Sequence, residues 1–122
     1  MKNYITVIIL TMTTGLVFAS IPADWTVSAA DYGNSAAVTG TITLNGTQSS
    51  DGADAISAWV GSECRGVKTS GLNFMGNMVF GLTVYFNDEN GTDNDMTFKI
   101  YQESSGLIAD VVVMTLGGTD YN

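Results

Sequence analysis

The chain has 122 residues, a formal net charge of −8, 45% hydrophobic residues and 13% charged residues, which favours one compact β-rich domain over a disordered chain. It contains no histidine, which excludes a Ser-His or Cys-His nucleophile, a histidine proton shuttle and an imidazole metal site. The acidic balance argues against a nucleic-acid partner, because phosphate binding requires a basic surface. Composition therefore favours a binding or structural protein over an enzyme.

The N-terminus has the pattern of a secretory signal peptide. Lys2 precedes an uncharged run over residues 4–19, and Val17 and Ala19 are the small residues that signal peptidase reads. We expect a signal-peptide helix over residues 1–19, cleavage after Ala19, and a secreted or cell-surface bacterial domain over residues 20–122. Retention as a membrane anchor is the alternative, although the run is shorter than the ~20 residues that span a bilayer. Contact with a membrane is expected only through an uncleaved leader.

The remaining chain is organised as strands separated by turns. Apolar and polar residues alternate with a period of two, the pattern of half-buried strands, and Asn45-Gly46 suits a tight turn with positive φ. None of the segments between the predicted strands has the pattern of a helix, which a parallel sheet needs for its crossover connections. The sequence predicts an all-β fold, an antiparallel β-sandwich (Ig-like or jelly-roll-like) of six to eight strands. The predicted strands cover residues 25–28, 37–44, 54–60, 64–68, 79–86, 96–101 and 107–116.

The same alternation assigns side chains to the two faces of each strand. It places Trp59, Tyr85 and Tyr101 on faces that do not point into the sandwich core. In residues 107–116 both faces are apolar, so we expect most of that strand to be covered. The single cysteine, Cys64, is expected to be buried and inert, with pairing between molecules as the alternative.

Three segments resemble a repeat-type extracellular β-sandwich module of secreted bacterial surface proteins. They are DAISAWVGSECRGV at residues 54–67, VFGLTVY at residues 79–85 and MTFKIY at residues 96–101, and residues 25–43 fit the same pattern. Their order and spacing agree over roughly residues 25–110. The resemblance implies an extracellular sandwich domain without catalytic activity, whose ligands are largely undefined.

An acidic loop at residues 87–95 is the candidate metal site. Carboxylate and amide oxygens at alternate positions around a turn are ligands that calcium accepts, so Asp88, Asn90, Asp93 and Asp95 could hold Ca²⁺. The alternative is a solvated hairpin loop whose Asn, Asp and Gly residues serve the turn alone. No other cofactor is expected.

Aromatic side chains are the candidate contacts for a ligand or partner. An exposed row of Trp59, Tyr85 and Tyr101 would offer apolar faces to sugar rings. The structural alternatives are cross-strand aromatic pairing and cover from a loop or a partner. Phe74 lies in residues 71–77, which read as a loop and a contact surface. Glu63 and Arg65 are close enough in sequence for a salt bridge that orders the turn after the strand at residues 54–60.

Two functions remain open on this reading. The first is a non-catalytic secreted or cell-surface binding and adhesion module, whose partner is a protein or glycan surface. The second is a structural subunit of an extracellular filament or matrix, in which copies of the chain join through strand edges or strand exchange.

Overall fold

The computed structural model describes residues 20–87, 96–112, 114–116 and 119–121, the last two ranges as backbone. These residues form β-strands and one short 3₁₀ helix, Ala29–Asp31. The expected signal-peptide helix over residues 1–19 lies outside the described residues. Within the described ranges no helix is long and apolar enough to cross a membrane.

The strands form two main antiparallel sheets, which confirms the predicted all-β antiparallel fold class, although the described residues contain eleven strands and not the six to eight expected. One sheet has three strands in the order β1-β7-β6, and the other has four in the order β5-β4-β8-β9. Two short hairpins, β2-β3 and β10-β11, complete the described fold. The strands are β1 Asn34–Gly40, β2 Thr43–Leu44, β3 Thr47–Gln48, β4 Ala55–Val60, β5 Glu63–Lys68, β6 Leu72–Phe74, β7 Asn77–Phe86, β8 Met96–Gln102, β9 Leu107–Asp110, β10 Met114–Leu116 and β11 Thr119–Tyr121.

The two main sheets bury apolar side chains between them. Period-two alternation sends alternate residues of β7 toward the four-stranded sheet, where Leu82 and Val84 pack with Ala58 of β4. Next to this cluster, Phe80 packs with Ile100 of β8 and with Ile42 of the segment between β1 and β2. These two clusters form the core of the sandwich.

The opposite face of the four-stranded sheet is also buried. Its cover is the N-terminal strap, which we define as residues 21–25. Trp25 packs edge-on against Trp59 and Tyr101, with ring centroids 6.4 and 6.3 Å apart. Ala55 and Cys64 complete this second apolar cluster. The central sheet is therefore apolar on both faces.

The strand predicted at residues 25–28 is wrong, because none of these residues belongs to a strand. The Trp25 N–H donates to the Pro22 carbonyl at 3.0 Å, so the chain turns here and does not extend along a sheet edge. The strap therefore packs on the sheet through its side chains and does not pair with a strand through backbone hydrogen bonds.

Other predicted boundaries shift where the chain turns. The strand predicted at residues 37–44 is interrupted between β1 and β2, and Asn45-Gly46 forms the expected hairpin turn with φ of 51° and 79°. Residues 71–77, predicted as a loop, form β6 and a second such turn at Met75-Gly76. Residues 107–116 divide into β9 and β10, and Leu107 and Ile108 are exposed. The expected cover is absent there because β9 is an edge strand of its sheet.

A β-bulge in β5 brings the two sheets unusually close. Trp59 pairs with Cys64, and Ala58 pairs with Gly66, so Arg65 is the extra residue. The bulge places Gly66 against the backbone of β7. A Cβ atom at Gly66 would lie 2.2 Å from the carbonyl oxygen of Thr83, which leaves no room for any other residue.

We expect Gly66→Ala to destabilise the fold by roughly 3 kcal/mol or more, because the added methyl group must push two strands apart. The matched control is Gly40→Ala in β1, where nothing lies within 4 Å of the added Cβ. It should change stability by less than about 1 kcal/mol. Urea unfolding followed by tryptophan fluorescence measures both. Equal stabilities for the two variants would contradict the close contact of β5 with β7.

Candidate functional sites

A cleft of about 400 Å³ lies where the strap meets the four-stranded sheet. Trp25 and Trp59 are 5% and 4% exposed, so the cleft offers only their ring edges to a ligand. The Trp59 indole N–H is already used, since it donates to the Ser57 hydroxyl at 2.7 Å. Lys99 Nζ lies 5.9 Å from the Trp59 ring and 3.4 Å from Asp110 Oδ1. Lys99 lines the cleft beside two buried tryptophans, and its ammonium group is already paired with Asp110.

The exposed aromatic row expected from alternation does not form. Trp59 and Tyr101 lie together on the predicted face, but the strap covers them, and Tyr101 is only 1% exposed. Burial, with the neighbouring Glu103 carboxylate, raises the pKa of Tyr101. Tyr85 lies in the other sheet, half-buried, with its ring centroid 6.3 Å from that of Tyr32. The expectation that Trp59 and Tyr101 are exposed is wrong.

Cys64 is a buried free thiol, as expected. Burial raises its pKa above the ordinary 9.0, and the nearby Asp24 carboxylate of the strap acts in the same direction. The sulfur lies 3.6 Å from the Gly66 carbonyl oxygen, to which it donates a weak hydrogen bond. A thiol that is covered and protonated is a poor nucleophile.

Glu63 and Arg65 form the expected salt bridge at 3.3 Å, and Arg65 is buried. The structure adds partners that spacing in the sequence does not indicate. The Arg65 guanidinium lies 4.7 Å from the centre of the Tyr32 ring and donates to the Tyr85 carbonyl at 3.4 Å. The Tyr32 hydroxyl donates to the Glu63 carboxylate, and this hydrogen bond raises the pKa of Tyr32. The cluster fixes the segment that joins the strap to β1.

A second depression, of about 310 Å³, is here called the polar groove. At its base lies Asp54, 5% exposed, whose carboxylate accepts hydrogen bonds from the Ser49 hydroxyl at 2.5 Å and from the Glu103 N–H at 2.9 Å. Sequence reasoning missed this site, because its lining comes from separate segments of the chain. The residues that line it are Ile42, Leu44, Thr47, Gln48, Ser49, Ser50, Asp51, Asp54, Ile100, Gln102 and Ser104.

The β6-β7 hairpin carries the most exposed large apolar side chains of the sandwich sheets. Leu72, Phe74 and Met75 are 74%, 64% and 85% exposed. We call these three residues the hairpin tip. Phe74 is thus exposed, and its role as a partner contact stays a prediction.

The candidate calcium ligands Asp88, Asn90, Asp93 and Asp95 lie outside the described residues. Among the residues that are described, no group of three or more Cys, Asp or Glu side chains is placed to hold a metal ion. Calcium binding by the acidic loop stays a prediction.

Comparisons with known proteins provide no relative from which to infer function. The chain matches no protein-family model, and neither the curated proteins nor the solved structures include a significant match. The function must be argued from the residues of these sites.

Because the strap covers Cys64, we expect this thiol to react slowly in the native chain. In the purified native chain at pH 8, Cys64 should react with a disulfide reagent about 100-fold more slowly than in the denatured chain, because both burial and the raised pKa suppress the thiolate. Trp25→Ala should raise the native rate about tenfold or more, and the exposed-site control Val112→Ala should not. Circular dichroism checks that both variants remain folded. A native rate equal to the denatured rate would show that the strap does not protect the thiol.

Proposed function

We propose that the chain is a non-catalytic binding and adhesion module, secreted or held at the cell surface, that contacts a protein partner through its hairpin tip. The observation that supports this proposal is the exposure of three large apolar residues within four positions of the chain, Leu72, Phe74 and Met75. Scattered apolar residues are normal on a protein surface, but a contiguous group of large ones marks a contact site.

The hairpin tip has the support that a recognition surface needs. The turn at Met75-Gly76 fixes the hairpin geometry, since both residues adopt the positive φ of a two-residue loop. From this turn, β7 runs for ten residues into the core, where Phe80 and Leu82 are buried. The tip is thus anchored by packing at its base, which lowers the entropy lost on binding.

The charge distribution also favours an apolar protein surface as the partner. Residues 69–78 contain no charged side chain, although the chain as a whole carries a net charge of −8. Burial of apolar area contributes about 25 cal/mol per Å², so three large side chains can provide the core of a small interface. The acidic remainder of the domain keeps the unbound chain soluble.

Binding by the tip is tested with beads that carry the purified chain. The beads are applied to immobilised extracellular proteins and to a glycan array, and retention is measured under flow. We expect retention on at least one protein, and a loss of about tenfold or more for the double variant Phe74→Ser/Met75→Ser. The matched control is Val112→Ser, because Val112 is 80% exposed but lies outside the tip. No retention on any protein, or equal retention of both variants, would contradict the proposal.

A second candidate function is the structural subunit. The edge strand β9 supports it, because Leu107 and Ile108 are exposed on a strand that has β8 as its described neighbour. Open apolar strand edges favour addition of a strand from another copy.

Light scattering and negative-stain microscopy separate the two functions. The binding module predicts a monomer over about a hundredfold range of concentration. The subunit predicts a filament that survives dilution and that Ile108→Lys abolishes, because a charge at the edge disfavours strand addition. A monomer at all concentrations would exclude the subunit.

A further inference from the structure

The polar groove has features that neither the hairpin tip nor the sandwich core requires. We propose that it binds a neutral saccharide unit that has hydroxyl groups on adjacent carbon atoms. This site is separate from the hairpin tip and does not depend on partner binding there.

The groove contains an acceptor that is held in place before any ligand arrives. Asp54 is nine-tenths buried, and one hydrogen bond to each carboxylate oxygen fixes its orientation. A carboxylate oxygen accepts about two hydrogen bonds, so each oxygen keeps capacity for a ligand hydroxyl. Two adjacent hydroxyls of a sugar match the two oxygens of one carboxylate. The buried acid therefore fits a diol better than a single hydroxyl.

A donor and a second acceptor complete the polar lining. The Gln102 side-chain oxygen accepts a hydrogen bond from the Ser105 hydroxyl at 2.6 Å, which leaves the amide NH₂ as the end that donates into the groove. Asp51 Oδ1 accepts from the Ala53 N–H at 2.8 Å, so this carboxylate is oriented as well. A sugar hydroxyl can both donate and accept, and so can use both types of group.

The lining of the groove also includes apolar residues. Ile42 and Ile100 are buried core residues that line the groove, together with the half-buried Leu44. Apolar residues of this kind match the C–H face of a pyranose ring. The volume of about 310 Å³ is at the lower end of ligand sites, which suits one sugar unit better than an extended oligosaccharide.

The charge of the lining decides between neutral and acidic sugars. Among the described residues, Asp51 and Asp54 line the groove and no lysine or arginine does. A uronate or sialate would bring a third negative charge next to two fixed ones, which costs binding energy. The site therefore selects a neutral sugar.

The binding site is tested by amide NMR titration of the purified chain. The probes are methyl β-glucopyranoside, methyl α-mannopyranoside and methyl β-galactopyranoside, each to about 50 mM, with sodium glucuronate and calcium chloride as separate arms. We expect at least one neutral glycoside to shift the amides of Asp51, Ala53 and Glu103 with a millimolar dissociation constant. Glucuronate should bind at least about tenfold more weakly.

Variants locate the binding in the groove. Gln102→Ala should weaken the glycoside about tenfold, while Thr97→Ala, an exposed polar residue of the same strand, should leave it unchanged. Phe74→Ser should bind the glycoside with unchanged affinity. The proposal that the tip binds a protein and the proposal that the groove binds a sugar can therefore fail independently. The proposal is overturned if no glycoside shifts these amides, or if calcium chloride shifts them and the glycosides do not. It is also overturned if glucuronate binds as tightly as the neutral glycosides, or if Gln102→Ala leaves glycoside binding unchanged.

Discussion

The fold depends on covering a central sheet that is apolar on both faces. Strands β4 and β8 send Ala58 and Ile100 toward the three-stranded sheet, and Trp59 and Tyr101 to the other side. A sheet of this kind cannot leave either face in water, because apolar burial is the main favourable contribution to folding. The three-stranded sheet covers one face, and Trp25 covers the other. The burial of Cys64, and the cleft between the strap and the four-stranded sheet, both result from the position of Trp25 on this face.

Period-two alternation was sufficient to place most strands and to divide their residues between faces. It correctly separates Ala58 from Trp59, and the Asn-Gly pair correctly predicts the first hairpin turn, because both signals are local. It cannot show whether a face is covered, since the cover is supplied by residues far away in the chain. For this reason Trp59 and Tyr101 were expected in solvent and are buried. The opposite error occurs at β9, whose apolar residues were expected to be covered and are partly exposed. The alternation within β9 does not show that this strand lies at the edge of its sheet, because that position depends on the order of the strands.

The candidate sites depend, more than the strands do, on contacts that cannot be read from the spacing of residues in the sequence. The register shift at Arg65 directs that side chain to Tyr32, 33 positions earlier in the chain, and nothing in the local pattern marks the bulge. The polar groove joins Ser49 and Asp54 to Gln102, which belongs to a different strand. The Glu63–Arg65 pair and Phe74 of the hairpin tip could be anticipated, because each depends on residues that lie close together in the sequence. Sites assembled from one turn are therefore visible in a single sequence, and sites assembled between segments are not.

The aromatic residues that seal the domain also restrict where recognition can occur. A sugar-binding sandwich commonly needs an exposed ring, yet Trp25 and Trp59 pack against each other and against Tyr101, so they stabilise the fold and leave only edges accessible. The apolar residues of the tip and the polar residues around Asp54 lie instead in turns and hairpins, which is where we propose that recognition occurs. These two surfaces suit different chemistries, one an apolar protein patch and the other hydroxyl groups. The tip belongs to the β6-β7 hairpin of the three-stranded sheet, whereas the groove is lined by residues of β2, β3 and β8 and of the segment before β4, so the two proposed surfaces use different elements of the fold.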